Sequence, residues 1–144
     1  MCDHCGCRSF APIAELTAEH EEILAAAWEL AESGRSGHAI PTGTQERLLV
    51  LLEVHAAKEE TGLYPELVGL GGLTAQDCAG LEAEHRALRA AIASGAFDRR
   101  GYYELAAHIE VEELELFSAA RFSFDEHDWD AMAGAHAAQE AIRR

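Results

Sequence analysis

The sequence predicts an all-α protein, an up-down-up-down four-helix bundle with a short C-terminal fifth helix. Its 144 residues are enough for one domain with a real core. The composition favours helix, because 49% of the residues are hydrophobic, Ala and Leu are common, and only three Pro occur. Apolar residues recur at alternating steps of three and four in four segments. Short connectors separate these segments, which is typical of antiparallel neighbouring helices.

Local signals set the ends of the first two helices. The first is predicted to begin near Pro12, a residue suited to a first turn. It is predicted to end at Ser33-Gly34, because glycine favours helix termination. The second begins near Thr44. Gly62 and Pro65 make its later turns irregular, so we expect a kink or an end there.

The remaining helices follow from similar signals. Thr74 and Asp77 form a capping-box pattern with Asp in place of Glu, which starts the third helix. That helix ends before Gly95, and the fourth begins between residues 99 and 102. A short fifth helix is predicted from about residue 125 to 141.

The net negative charge of the chain argues against nucleic acid and anionic membrane as partners. The formal net charge is −15, and the acidic residues are spread along the chain. Such a surface repels nucleic acid and anionic membrane, so we expect neither as a partner. No apolar run approaches the ~20 residues that span a bilayer, and the N-terminus lacks the pattern of a secretory signal. We therefore expect a cytosolic protein, a monomer or a weak homodimer.

One chemical pattern occurs twice. The motif H-x-x-x-E-E begins at His55 and again at His108. Residues four apart lie on one face of a helix, so each copy directs an imidazole and a carboxylate the same way. A Glu-His pair precedes each copy by one helix, at residues 19–20 and 84–85. The repeat predicts two similar helix pairs related by a pseudo-twofold axis.

The apolar spacing assigns six ionisable residues to the interior, namely His20, His55, Glu59, His85, His108 and Glu112. One core histidine alone is more often simply hydrogen-bonded. Buried carboxylates, however, are costly unless neutralised, so the full set predicts bound dications. Imidazole with carboxylate and no thiolate favours iron or manganese, and zinc less specifically. Six ligands fit two ions, with Glu59 and Glu112 as bridges. The ferritin-like motif Glu-x-x-His is matched only once, by Glu82 and His85, which rejects that class.

The ordered set of motifs resembles the hemerythrin-like cation-binding family over roughly residues 12 to 135. The resemblance implies a left-handed four-helix bundle with a non-haem di-iron centre, bridged by oxo or hydroxo and by carboxylates. It implies that Glu59 and Glu112 bridge the two irons and that the four histidines are terminal ligands. On this basis we divide the chain into a Cys-rich segment, residues 1–10, and the hemerythrin-like domain, residues 11–144.

The sequence departs from the oxygen-carrying hemerythrins in two places. Arg89 stands where they have a second histidine on the third helix, and Glu112 lies four residues after His108, where they have Asp at five. One imidazole fewer leaves open metal positions, which favour peroxide or nitric oxide chemistry over oxygen carriage. The residues that could fill the gap are Glu60, Glu113, Tyr64 and Tyr102.

Three functions remain in competition. The first is a di-iron protein that binds or reacts with oxygen, hydrogen peroxide or nitric oxide, with catalase-like activity as one form. The second is a sensor of oxygen, nitric oxide or iron, or an iron buffer, without turnover. The third is a metal-free structural bundle, which the six interior ionisable residues argue against.

The N-terminal segment contains a second candidate site. Cys2, His4, Cys5 and Cys7 could bind a metal, with zinc as the first choice and Cys78 as a further ligand. A reversible disulfide or incidental cysteines are the alternatives.

Two further expectations concern residues outside these sites. We expect the acidic cluster of Glu113 and Glu115 to be a solvated face. His136 could lie over the open end of the bundle if the fifth helix packs there.

Overall fold

The computed structural model describes residues 10–36 and 43–143, and all their regular structure is helical. The helices are α1 (Ala11–Ser36), α2 (Thr44–Lys58), α3 (Tyr64–Gly69), α4 (Ala75–Ser94), α5 (Arg99–Val111), α6 (Phe117–Ser123) and α7 (Glu126–Ile142). A first π-helical turn, Glu59–Leu63, joins α2 to α3, and a second, Glu112–Leu116, joins α5 to α6. The predicted all-helical class is confirmed. None of these helices is both long and apolar enough to cross a membrane.

Capping residues begin and end the later helices. The Thr74 hydroxyl accepts a hydrogen bond from the Asp77 N–H at 3.0 Å, which satisfies a free donor in the first turn of α4. Gly95 ends α4 in the left-handed conformation, at φ 79°, which glycine adopts without strain. Asp125 and Asp128 form a capping box at the start of α7. These short-range signals explain why both predicted ends of α4 agree with the structure, whereas α1 continues past its predicted end at Ser33-Gly34 to Ser36.

The second bundle helix neither ends nor breaks where its sequence becomes irregular. The backbone continues through the first π-helical turn into α3, and Pro65 lies in the first turn of α3, where its missing N–H costs little. A Cβ at Gly62 would lie 3.3 Å from the Ala135 Cβ, so glycine permits the close approach of α7. The second π-helical turn contains neither Gly nor Pro, so nothing in its sequence signals it.

The long helices pack as a bundle. Helix α1 contacts α2 and α5, α2 also contacts α4, and α4 contacts α5. The start of α2 lies beside the end of α1, where Arg47 is 3.7 Å from Glu29. It also lies beside the end of α4, where the Gln45 amide donates to the Ile92 carbonyl at 2.7 Å. Helix α7 packs against α1, α2 and the first π-helical turn.

The interior has three layers along the bundle axis. The first apolar cluster includes Ile23, Leu30, Leu48, Leu52, Leu88, Ile92, Leu105 and Ile109. The second includes Ile13, Leu16, Leu63, Tyr64, Phe117, Trp129 and Met132. The six ionisable residues named above form a polar layer between them; His20, for example, follows Leu16 of one cluster and precedes Ile23 of the other. Trp129 and Met132 anchor α7 in the second cluster.

The close approach at Gly62 gives a stability prediction. Gly62→Val should lower the free energy of unfolding by about 1 to 3 kcal/mol, because the added methyl groups overlap Ala135 and Met132 of α7. Gly80→Val is the matched control, since a Cβ at Gly80 meets nothing within 4 Å. Urea unfolding of both variants measures the difference. Equal destabilisation of the two would contradict close packing of α7 at this point.

Candidate metal centre

The structure brings the six interior residues together in the polar layer. All are buried, and Glu59 and Glu112 have no exposed surface. Each imidazole directs its Nε2 atom toward the two carboxylates. The shortest of these contacts is 3.0 Å, between His108 Nε2 and Glu112 Oε1. The four helices therefore each contribute one imidazole to a common centre.

The six residues form two groups that share both carboxylates. One group is His20 and His55 with Glu59 and Glu112, and the other is His85 and His108 with the same two carboxylates. Within each group, one ligand atom per residue lies within 4.8 Å of the others. Each group has the size and chemistry to hold one cation.

Glu59 shows how one carboxylate faces both groups. Its Oε2 atom lies 3.3 Å from His55 Nε2, and its Oε1 atom lies 3.3 Å from His85 Nε2. The two oxygens of one side chain thus point to different histidines. This is the arrangement that a bridging carboxylate requires.

Four atoms of the layer make no hydrogen bond within the described residues. They are His20 Nε2, His55 Nε2, Glu59 Oε2 and Glu112 Oε1. Leaving a buried polar atom unpaired costs about 1–3 kcal/mol. All four are lone-pair donors once the imidazoles are neutral, so bound cations would satisfy them together. The donor atoms of these side chains therefore fit a bound metal ion.

A second set of carboxylates accepts hydrogen bonds from the Nδ1 atoms of the imidazoles. Each Nδ1–H donates to a glutamate on a neighbouring helix, in the pairs His20–Glu113 at 2.7 Å, His55–Glu19 at 2.8 Å, His85–Glu60 at 2.9 Å and His108–Glu84 at 2.8 Å. These bonds fix the ring orientation and leave Nε2 free to bind a metal. The donors and acceptors pass from helix to helix in a closed ring around the bundle.

The sequence repeat contains all four supporting glutamates. Glu19 and Glu84 precede the histidines of α1 and α4, and Glu60 and Glu113 follow the bridging-type glutamates of the two repeated motifs. The expectation of a solvated face at Glu113 was wrong, because its side chain is only 37% exposed and is bonded to His20. The signal was the repeat itself, since each supporting glutamate has a counterpart in the other half.

Comparison with known families now adds an independent observation. A sequence model of the hemerythrin HHE cation binding domain matches residues 11–120, a range that contains all six residues of the layer. The chain belongs to this family. Searches of curated proteins and of solved structures gave no match. The matched range ends before α7.

Four residues were candidates to replace the absent fifth histidine ligand. Among them, Tyr64 is the one whose polar atom lies beside both carboxylates of the layer. Its buried hydroxyl donates to Glu112 Oε2 at 2.9 Å and lies 3.4 Å from Glu59 Oε1. Its distance to His85 Nε2 is 3.5 Å. Burial and the charges of Glu59 and Glu112 raise the pKa of the Tyr64 hydroxyl, so it stays protonated and donates.

The other candidates lie elsewhere. Glu60 and Glu113 bond to Nδ1 atoms and face the backs of the imidazoles. Tyr102 packs its ring against Trp28, at a centroid distance of 5.0 Å, beside the first apolar cluster. Spacing along the helices could not show which of these four candidates lies next to the carboxylates. It indicates the helix face on which a side chain lies, but not how far its polar atom extends.

In the metal-free layer, the buried carboxylates raise the pKa values of His55 and His108. Burial lowers the pKa of His55, but the Glu59 charge and the hydrogen bond to Glu19 outweigh it and raise that pKa to about 10. Burial also opposes the charged form of His108, but the contact with the Glu112 carboxylate and the hydrogen bond to Glu84 raise its pKa to about 9. Burial raises the pKa of Glu59, yet the His55 charge holds it well below its usual value. Without metal, imidazolium therefore neutralises the buried carboxylates.

Lys58 is a buried residue beside the layer that the sequence did not single out. Its ammonium is fully buried and contacts Glu19 at 2.5 Å, Glu140 at 2.6 Å and Glu15 at 3.0 Å. These three glutamates lie close enough to suggest a cation site, but the Lys58 ammonium itself contacts all of them. His136 lies beside this cluster, with its Nδ1 2.5 Å from Glu15, and not in the metal layer.

The N-terminal candidate site lies outside the described residues. This applies to Cys2, His4, Cys5 and Cys7, so a zinc or redox site there stays a prediction. Cys78 is described and partly buried, and its thiol lies 3.6 Å from Glu82 Oε1.

Metal binding should release protons. At about pH 7.5 His55 and His108 are protonated in the metal-free protein, so loading the layer should displace about two protons per chain. Affinity should rise with pH until it passes these pKa values. Calorimetric titration with Mn²⁺ in two buffers of different ionisation enthalpy measures the release. Identical heats in both buffers would contradict it.

The buried lysine gives a second prediction. Lys58→Met should cost about 2 to 3 kcal/mol of stability, because it leaves three carboxylates close together without a counter-ion. The cost stays below that of a fully buried pair, since Glu15 and Glu140 are 40% and 48% exposed. Arg143→Met, which removes an exposed ion pair with Glu53, should change stability by less than about 0.5 kcal/mol. Thermal unfolding compares them, and equal losses would rule out a special role for Lys58.

Proposed function

We propose that this hemerythrin HHE protein is a non-haem di-iron protein that binds or reacts with oxygen, hydrogen peroxide or nitric oxide, with catalase-like activity as its enzymatic form. The observation that carries the proposal is the pair of ligand groups, each with two imidazoles and both sharing Glu59 and Glu112. A single ion would use only part of this set. Nitrogen and oxygen ligands without thiolate are the set that iron accepts.

The ligand count supports reaction with a small molecule. Two imidazoles and two shared carboxylates do not fill the coordination of an iron ion, so open positions remain for an added ligand. Bound iron would supply the redox change. A void of about 10 Å³, enough for about one water-sized molecule, adjoins the layer. Besides the histidines and Glu112, its walls are Ile23, Leu52, Leu105 and Ile109, so it favours a small uncharged guest.

Tyr64 supplies the proton chemistry of this site in our proposal. Its hydroxyl is held between Glu59 and Glu112, beside His85. Because the hydroxyl has one proton, it can donate to a molecule bound in the layer only by giving up its hydrogen bond to Glu112. Such a donor stabilises oxygen atoms that gain negative charge. With Arg89 in place of a further histidine, this arrangement favours peroxide or nitric oxide over reversible oxygen carriage.

The proposal includes finer features of the protein. We infer a left-handed up-down-up-down bundle and a division into segment 1–10 and domain 11–144. We also infer a cytosolic monomer or weak homodimer whose partners are small molecules, and neither nucleic acid nor membrane. The net charge of −15 supports the last point.

A second candidate function is a sensor or iron buffer without turnover. One observation favours it. Glu19, which orients His55, is also bound by Lys58, and Lys58 contacts Glu140 of α7. A change at the metal layer therefore has a direct polar connection to a helix outside the matched family range.

Metal analysis tests the shared basis of both functions. After iron-replete expression we expect about two irons per chain and the near-ultraviolet absorption of an oxo-bridged ferric pair. Glu59→Ala should lose both ions, because both groups use this carboxylate. His127→Ala alters an exposed histidine of α7 and should keep both. Less than one metal per chain in the wild type would sink the proposal.

Oxygen release from hydrogen peroxide separates the two functions. If the layer turns over peroxide, His108→Ala should reduce the rate by at least about tenfold while His127→Ala leaves it unchanged. Equal rates in wild type and His108→Ala, with iron bound to the wild type, would leave the sensor or buffer function.

A further inference from the structure

A groove of about 530 Å³ lies between α4 and α5. Most of its lining is apolar, including Leu81, Leu88, Ala91, Phe97, Ala107 and Val111. This volume is in the range of sites that bind small organic molecules. It is far larger than the void beside the metal layer, which holds about one water-sized molecule.

The sequence explains why the groove stays open. Helix α4 buries only three side chains, His85, Leu88 and Ile92, so it covers little of its neighbour. Small residues line both walls where larger ones would fill the space. A Cβ at Gly101 would lie 2.9 Å from the Phe97 ring, so glycine there allows this ring to pack against α5.

The groove meets the metal layer at its least protected corner. His108 is 7% exposed, against 1% to 3% for the other three histidines. Its supporting carboxylate, Glu84, is 56% exposed, against 19% to 37% for the other three. Both residues line the groove, and His108 also lines the small void. One imidazole thus separates the groove from the void.

The charges of the groove select its ligand. Its polar lining consists of Glu84, Glu104 and His108, with no lysine or arginine from the described residues. An anion would meet two carboxylates and a chain of net charge −15, and the nearby cation Arg100 is exposed and already paired with Glu104. An uncharged molecule would place its apolar part along the walls and a hydrogen-bonding group at the Glu84 and His108 end.

We propose that this groove binds an uncharged, mostly apolar small molecule with one hydrogen-bonding group, and that small molecules such as nitric oxide reach the His108 corner of the metal layer through this groove. The binding site stands on the groove alone. Its role as a route rests on the proposed function.

A matched pair of probes tests the binding site. The neutral 4-phenylbutan-1-ol should bind with a dissociation constant on the order of 1 mM. Its anionic counterpart 4-phenylbutanoate should bind at least about tenfold more weakly. Backbone amide shifts of the full chain, measured by NMR with and without metal, should change in α4 and α5 with the neutral probe.

Variants locate the site on the groove. Ala91→Phe and Ala107→Phe fill the groove from opposite walls and should each abolish the shifts. Ala90→Phe is the control, because Ala90 is exposed on α4 and does not line the groove. Circular dichroism checks that each variant is folded. Equal binding of both probes, shifts outside α4 and α5, or unchanged binding in both filled variants would overturn the proposal.

Two further measurements separate the remaining outcomes. If analytical ultracentrifugation shows a dimer that Ala91→Phe dissociates, the groove is a self-association surface and the proposal is wrong. With iron bound, nitric oxide should reach the layer at least about tenfold more slowly in Ala91→Phe at equal metal content. An unchanged rate would overturn the route. Loss of metal with intact probe binding would refute only the proposed function.

Discussion

The rest of the structure depends on neutralising the buried carboxylates of Glu59 and Glu112. Both have no exposed surface and lie between two apolar clusters, where an isolated charge is strongly unfavourable. Either imidazolium or bound cations must neutralise them. Four histidines at the same depth can do both, as proton carriers or as ligands. The bundle can therefore keep one geometry while protons exchange for metal.

The backbone responds to the same requirement. Both π-helical turns begin at these carboxylates, Glu59 in one and Glu112 in the other. A π turn inserts an extra residue into the helix, and such turns are frequent at functional sites. The next glutamate after each then reaches the histidine of a neighbouring helix, Glu60 to His85 and Glu113 to His20. The paired glutamates of the repeat thus have two separate tasks.

The sequence predicted much of this layer because helical spacing assigns residues to faces. It identified the six interior residues, the repeat and the capping residues of α4. It did not predict the Nδ1 partners, since these are contacts between helices. Glu113 was misassigned because it lies one residue away from the core stripe, where acidic residues are usually solvated. Lys58 was missed for a similar reason, because lysine is rarely fully buried and its three partners lie on other helices. The second π-helical turn has no Gly or Pro to signal it.

The repeat makes the two halves of the layer similar, but three features make them unequal. Lys58 binds the supporting carboxylate of His55, Tyr64 lies on the His85 side, and the groove reaches only His108. Glu19 is shared between His55 and the Lys58 ammonium, so the surroundings of His55 differ from those of its counterpart His108. Two ions in this layer would then differ in the surroundings of their ligands, in their access to solvent and in their nearest proton donor. Tyr64 and the groove lie on the same half of the layer, that of His85 and His108, so this half differs from the other in both its proton donor and its exposure.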